Sequence, residues 1–286
     1  MATTWEAALR DARKSFRSAG EQLVQGRFRP ESLRSSSSDL REASLNLGEA
    51  AVYGLEGWLL RSSAVPTTPF LDPEIFPWTK VLEAGWQDIR ADLDDVLRHR
   101  ADLPNFQDIS RDVASITDDD QWKTFFFLGY GYRSEANWAR CPRTAALLEQ
   151  IPGLTTAFFS ILSPGKHIKE HRGPYRGVLR YHLGLMVPEP AEKCGITVGG
   201  ETRHWAEGES MLFDDGYLHE AWNDSDGVRA VLFLDVVRPL QGSAEKVNNA
   251  LLKAIAISPF LRDAKKRHEA WEGRFEKIAK ATGADS

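Results

Sequence analysis

The sequence predicts a mainly β core, an antiparallel sandwich or barrel, with helical segments added at both ends. Three observations point there. After Trp122, short runs rich in β-branched and aromatic residues follow one another: TFFFLGYGY, TAFFSIL, GVLRYHLGLMV, GITVGG, TRHWAEG, SMLFDD and RAVLFLDVV, separated by Gly, Pro, Asp and Asn. On either side of this region, apolar residues recur at three- and four-residue spacing instead. With 286 residues, 42% apolar and 27% charged, the chain can bury a full core without disulfides or a structural metal. Cys141 and Cys194 are the only cysteines, so both are expected as reduced thiols.

Taken in order, Trp5, Ala8, Leu9, Ala12 and Phe16 mark an amphipathic helix from Thr4 to about Val24. Pro30 and the serines Ser35 to Ser38 read as a linker, and a second helical pattern runs from Asp39 to Leu60. Pro66, Pro69, Pro73 and Pro77 keep Ser62 to Phe76 extended, wrapping over the surface. Pro77 suits a first helical turn, and Trp78, Val81, Leu82, Trp86, Ile89, Leu93 and Val96 form one stripe of a helix ending near His99. The β runs follow. From Ser243 the composition is helical again, divided at Pro259, and the mixed-charge DAKKRHEAWEGRFEKIAK reads as a solvated helical face.

The net charge of −5, from 36 basic and 41 acidic residues with no long Lys/Arg run, argues against a nucleic-acid partner. No stretch has the order of a secretory signal or the length of a membrane span. The expectation is a soluble, cytoplasmic protein without a membrane partner; oligomeric state is left open.

Five polar or ionisable residues interrupt the β runs: Ser160, Arg180, His182, His219 and Arg229. In Val178 to Val187, Leu179, Tyr181, Leu183, Leu185 and Val187 share one face, which puts Arg180 and His182 together on the other. Such a face can grip a small dicarboxylate, because Arg offers two parallel charge-assisted bonds to a carboxylate. The alternative is an Arg paired with Asp214, Asp215 or Asp235. His171 in HRGP and His219 in FDDGYLHEAW stand in turns at strand ends, where barrels place metal ligands. Asp215 precedes His219 closely enough to orient a ligand imidazole or a metal-bound water. HIKEH is not a zinc-protease helix: the Glu does not follow the first His, and Pro164-Gly165 and Gly173-Pro174 bracket it. His204 is expected on a surface strand, His99 and His268 on exposed helical faces, and Phe125, Phe126 and Phe127 in the core.

From about Pro69 to Leu240 the chain resembles the aspartyl/asparaginyl β-hydroxylase family. The resemblance rests on DPEIFPWTKVLEAGW, SILSPGKHIKEHRGP, LRYHLGL, ETRHWAEGE and FDDGYLHEAWND, followed by Arg229. It implies a double-stranded β-helix, a cupin-like jelly roll, over residues 63–240, between a helical extension at 1–62 and a helical segment at 241–286. It implies an Fe(II)- and 2-oxoglutarate-dependent dioxygenase using O₂ and releasing succinate and CO₂. His171 and His219 would hold the iron, Ser160 and Arg229 the distal carboxylate of 2-oxoglutarate, and Arg180 and His182 would support its metal-bound end. Gly173 stands where the wider fold often carries a third, carboxylate ligand. The chain departs from the pattern before Ser62, which matches nothing in the family, and at Leu128, where eukaryotic members carry an aromatic.

The substrate expected on this reading is a small metabolite or a carrier-bound or peptidyl amino acid, hydroxylated at an unactivated C–H bond. A halogenase, with chloride in the space that Gly173 leaves, is the enzymatic rival. A non-catalytic cupin-like binding module is the rival outside catalysis; it leaves unexplained why Ser160, the two histidines and Arg229 fall at these spacings.

Overall fold

A computed structural model describes residues 54–281. The two expected N-terminal helices fall largely outside them. The chain divides into two compact units, Met1–Arg61 and Ser62–Ser286; of the first, residues 54–61 are described and are helical. Everything below concerns the second.

Its core is two facing antiparallel sheets. The larger has the strand order β1-β9-β6-β11-β4-β2-β3 and the smaller β5-β10-β7-β8. The strands are β1 (Phe70–Leu71), β2 (Trp122–Gly129), β3 (Tyr132–Arg133), β4 (Leu154–Leu162), β5 (Lys166–His171), β6 (Val178–Met186), β7 (Cys194–Val198), β8 (Glu201–His204), β9 (Ser210–Phe213), β10 (His219–Asn223) and β11 (Arg229–Val237). From β4 to β11 the chain passes back and forth between the sheets, and only β7 and β8 are consecutive in one of them. This is a double-stranded β-helix, or jelly roll, and the β runs of the sequence are its strands.

Two apolar clusters follow from strand parity. Between the sheets lie Trp122, Phe158, Ile196, Val198, Trp205, Phe213, Val231 and Phe233. On the outer face of the larger sheet, Phe125, Phe127, Phe159, Leu179, Tyr181, Leu183, Leu232 and Leu234 meet the helices. Those helices are α1 (Trp78–Ala84), α2 (Trp86–Leu97), α3 (Phe106–Ile109), α4 (Glu135–Arg140), α5 (Pro142–Leu148), α6 (Ser243–Ala256) and α7 (Pro259–Ala281). Asp92 on α2 ties α5 down, accepting from Thr144 N at 2.8 Å and Arg143 Nε at 3.0 Å.

Several expectations need correction. The single helix from Pro77 to His99 is two, broken at Gly85, which packs closely against α5: a Cβ there would stand 2.7 Å from Leu147 Cδ1. Phe70 and Leu71 do not wrap the surface: they are buried and add edge strand β1 to the larger sheet, facing Phe213 and Leu212. Helices α3, α4 and α5 have no counterpart in the apolar spacing of the sequence. His268 is 2% exposed, not on a solvated face; with Trp271 and Phe275 it forms an i, i+3, i+7 stripe laid over Phe126, Tyr132 and Phe125. Among the described residues no helix is long and apolar enough to cross a membrane.

Candidate active site

His171 ends β5 and His219 begins β10, and the two are cross-strand partners. A register shift between His219 and Ala221 makes them so; bulges of this kind re-aim a side chain at the rim of a sheet. The rings lie 4.1 Å apart, centroid to centroid. Each donates from Nδ1 to a main-chain carbonyl two residues upstream, His171 to Lys169 O at 2.8 Å and His219 to Tyr217 O at 2.9 Å. Nδ1 therefore carries the proton and Nε2 the lone pair, the tautomer a metal ligand needs.

Burial pushes His171 down to about 3 and His219 down to about 4, with His219 and Arg180 adding to the depression of His171. Both imidazoles are neutral at neutral pH. Since an unfolded histidine titrates near 6.5, the unfolded chain takes up protons before the folded one does, and the pair stabilises the fold above that pH. Its contribution falls as pH drops from about 6.5 towards 3. Thermal melts of metal-free protein across that window should show this slope, flattened in the His171→Asn/His219→Asn double variant.

Among the described residues no group of three or more His, Cys, Asp or Glu is placed to hold a metal; the pair stands alone. The reason no carboxylate joins from position 173 is steric. A Cβ on Gly173 would lie 2.1 Å from Asp215 Oδ2 and 2.4 Å from its Cγ, while Gly173 N donates to Asp215 O at 2.8 Å. Asp215 thus occupies the space a side chain at 173 would need. Its Oδ2 is 2.8 Å from Arg180 Nη2, and its buried Oδ1 has no partner. Burial raises its pKa against the pull of Arg180.

Arg180 is engaged as the sequence allowed in its alternative reading. It pairs with Asp235 through Nε at 2.9 Å and with Asp215 through Nη2. Burial alone would favour its discharge, but the two carboxylates outweigh that and raise its pKa.

Arg229 is the opposite case. It is 1% exposed at the start of β11, its Nε and Nη1 have no partner, and its guanidinium lies 4.3 Å over the Trp205 ring. Among the described residues no carboxylate balances it, and burial pushes its pKa down to about 9. His182, also buried with neither ring nitrogen bonded, feels Arg229, Arg180 and His219 together. It packs against Phe213 and Phe233, each 5.0 Å away between centroids. Ser160 accepts from Trp122 Nε1 at 3.0 Å, so its own proton remains to donate. The interior therefore runs from a histidine pair at one end, past His182, to an unbalanced cation at the other.

Trp205 was not singled out in the sequence, yet it completes that far end. Gly184 admits it: a Cβ there would meet Ala206 O at 2.0 Å, so the segment after β8 can dip against β6. Buried Trp205 follows a strand that is exposed throughout. One large apolar residue after a polar run was the available signal.

Residues 83–239 match the family described as Aspartyl/Asparaginyl beta-hydroxylase. An ornithine lipid ester-linked acyl 2-hydroxylase of Rhizobium tropici is 49% identical over 222 residues, which cover 78% of this chain and 79% of that one. Aspartate beta-hydroxylase domain-containing protein 2 of Homo sapiens is 33% identical over 64% of this chain and 50% of its own length. The Homo sapiens aspartyl/asparaginyl beta-hydroxylase is 37% identical over 41% of this chain and 16% of its own.

Proposed function

Because the chain belongs to the aspartyl/asparaginyl beta-hydroxylase family, we propose that it is an Fe(II)- and 2-oxoglutarate-dependent hydroxylase acting on a methylene next to a carbonyl carbon. The observation that supports this most is Arg229, a buried guanidinium that no carboxylate among the described residues pairs. Unpaired buried charge is costly, and a site keeps it where a ligand supplies the counter-charge.

The residues fit both groups. His171 and His219 present two neutral imidazoles to a metal, and Arg229 with the Ser160 hydroxyl would hold the distal carboxylate of 2-oxoglutarate. His182 lies between, with two nitrogens to satisfy. Arg180, held by two acids, stabilises the metal end by its field more than by a free fork. When bound, iron and co-substrate supply the oxidising equivalents for C–H cleavage from O₂. The chain would orient the co-substrate, exclude water with Phe158, Phe213 and Phe233, and set Asp215 Oδ1 as an acceptor beside Gly173. That same carboxylate would repel a halide there, which favours hydroxylation over halogenation.

For the substrate, the names of the relatives share one feature of chemistry. The β-carbon of an aspartyl residue and C2 of an acyl chain are each bonded to a carbonyl carbon. Identity of 49% across about four-fifths of both chains favours an ester-linked acyl chain of an amino-acid lipid over a peptidyl aspartate.

Anaerobic addition of Fe(II) and 2-oxoglutarate to metal-free protein should give a visible charge-transfer band, absent in His171→Ala and His219→Ala. Aerobic incubation with the acyl lipid should yield succinate and a 2-hydroxyacyl product. No band and no succinate in the wild type would sink the reading and leave a binding module.

A further inference from the structure

The two histidines reach their carbonyl acceptors in different ways. Lys169 O, which takes the Nδ1 proton of His171, belongs to strand β5 itself. Tyr217 O, which takes that of His219, belongs to the loop between β9 and β10, outside either strand. A carbonyl that sets the tautomer and aim of an imidazole does so only as well as it is itself held. Tyr217 is held from several sides: its N–H donates to Asp214 O at 3.2 Å, its hydroxyl donates to Thr67 O, and the next carbonyl, Leu218 O, accepts from Gly199 N at 2.8 Å. Over the face of its ring lies Arg176, whose guanidinium carbon stands 4.5 Å from the ring centroid.

Arg176 is fixed in turn. Its Nε and Nη2 both donate to Asp214 Oδ2, the first at 3.1 Å, and Arg238 Nη2 lies 2.6 Å from that same oxygen. Arg238 Nε donates to Arg176 O at 2.8 Å, and Asp214 is fully buried. The Arg176 side chain also runs directly along the loop, for a Cβ on Gly216 would stand 2.3 Å from its Cγ. One edge of the guanidinium is thus occupied by a shielded acid and its face by one ring, a division that a planar cation allows and an ammonium does not. Asp214 closes the unit by accepting from Gly216 N at Oδ1, 2.9 Å away.

We propose that Arg176 is a positioning residue for the metal: stacked on Tyr217, it holds the carbonyl that keeps the Nδ1 proton and the aim of His219. The proposal rests on the iron-site reading above. Arg176 acts on His219 through Tyr217 and leaves His171, held by its own strand, as an internal control.

Arg176→Met and Arg176→Lys test it. Both remove the flat stack; Arg176→Lys keeps a cation beside Asp214, and in Arg176→Met that acid still has Arg238. Two readouts use the metal-free protein: its thermal midpoint, and its histidine tautomers by nitrogen NMR at neutral pH, with His171→Asn and His219→Asn to assign the signals. The third is the iron dissociation constant, from the anaerobic charge-transfer band at saturating 2-oxoglutarate. In both variants His219 is expected to lose its pure Nδ1–H form while His171 keeps it, and the iron dissociation constant to rise about tenfold. Titration of 2-oxoglutarate at saturating iron should match wild type. Wild-type tautomers and iron affinity in both variants would overturn the proposal and leave the iron-site reading intact, as would variants altered only in midpoint. If Arg176→Met does not fold, Arg176→Lys decides alone. A wild type that forms no band overturns the iron-site reading and the proposal with it.

Discussion

Gly173→Asp is expected to damage the fold rather than supply the iron with a third protein ligand. A Cβ at 173 would stand 2.1 Å from Asp215 Oδ2 and 2.7 Å from Oδ1, so the new side chain has no room and would bring a second carboxylate against one already buried. Overpacking and an added buried charge together should lower stability by roughly 3 kcal/mol or more. Asp215→Gly, made alone, leaves Arg180 with one acid in place of two and should also destabilise. In Gly173→Asp/Asp215→Gly the collision is gone and a carboxylate is returned to the neighbourhood of Arg180, so the double variant should be more stable than the sum of the two losses allows. Denaturant titration of the four proteins measures this coupling. A Gly173→Asp protein as stable as wild type and tighter in iron binding would show that Asp215 does not fill the space assigned to it.

Arg229→Met should have two effects of opposite sign. The metal-free protein gains stability, by about 1–3 kcal/mol, because a buried cation without a counter-ion is replaced by a side chain of similar length that the neighbouring Trp205 can pack against. Co-substrate binding weakens on the order of 100- to 1,000-fold, the loss of a two-pronged charge-assisted contact in a dry site. Thermal melts without ligand and titration of the charge-transfer band read the two separately. If Arg229→Met melts lower, Arg229 serves the fold; if the band titrates as in wild type, its anion is not 2-oxoglutarate.

Much of the β core could be read from the chain because alternation in a strand buried on one side records which face is wet. Leu179, Tyr181, Leu183 and Leu185 pack outward on the helices, and Arg180 and His182 lie on the other face, as their alternation indicated; Val187, just past the end of β6, departs from the alternation and packs with the cluster between the sheets. The helical stretch before it was harder, because Gly85 interrupts a stripe whose apolar spacing continues across it, and its close approach to Leu147 is a tertiary contact remote in sequence. His268 misled for a related reason: its neighbours in sequence are charged, and only its spacing to Trp271 and Phe275 marks the buried side. Within the site, parity could say that Arg180 shares a face with His182, but not that Asp215 and Asp235 reach Arg180 and leave Arg229 aside. Distances between loops, such as that from Asp215 to Gly173, are tertiary facts with no local pattern to announce them.

The histidine pair has a consequence beyond chemistry. His171 and His219 are neighbours on adjacent strands but remote along the chain, so an ion held by both acts as a reversible staple across the smaller sheet. Such a staple closes a long loop and stabilises the folded form in proportion to the logarithm of free ion over its dissociation constant. The smaller sheet would then be the part of the molecule whose resistance to local unfolding and proteolysis tracks the supply of iron. Turnover of the protein and turnover of its substrate would answer to the same metal.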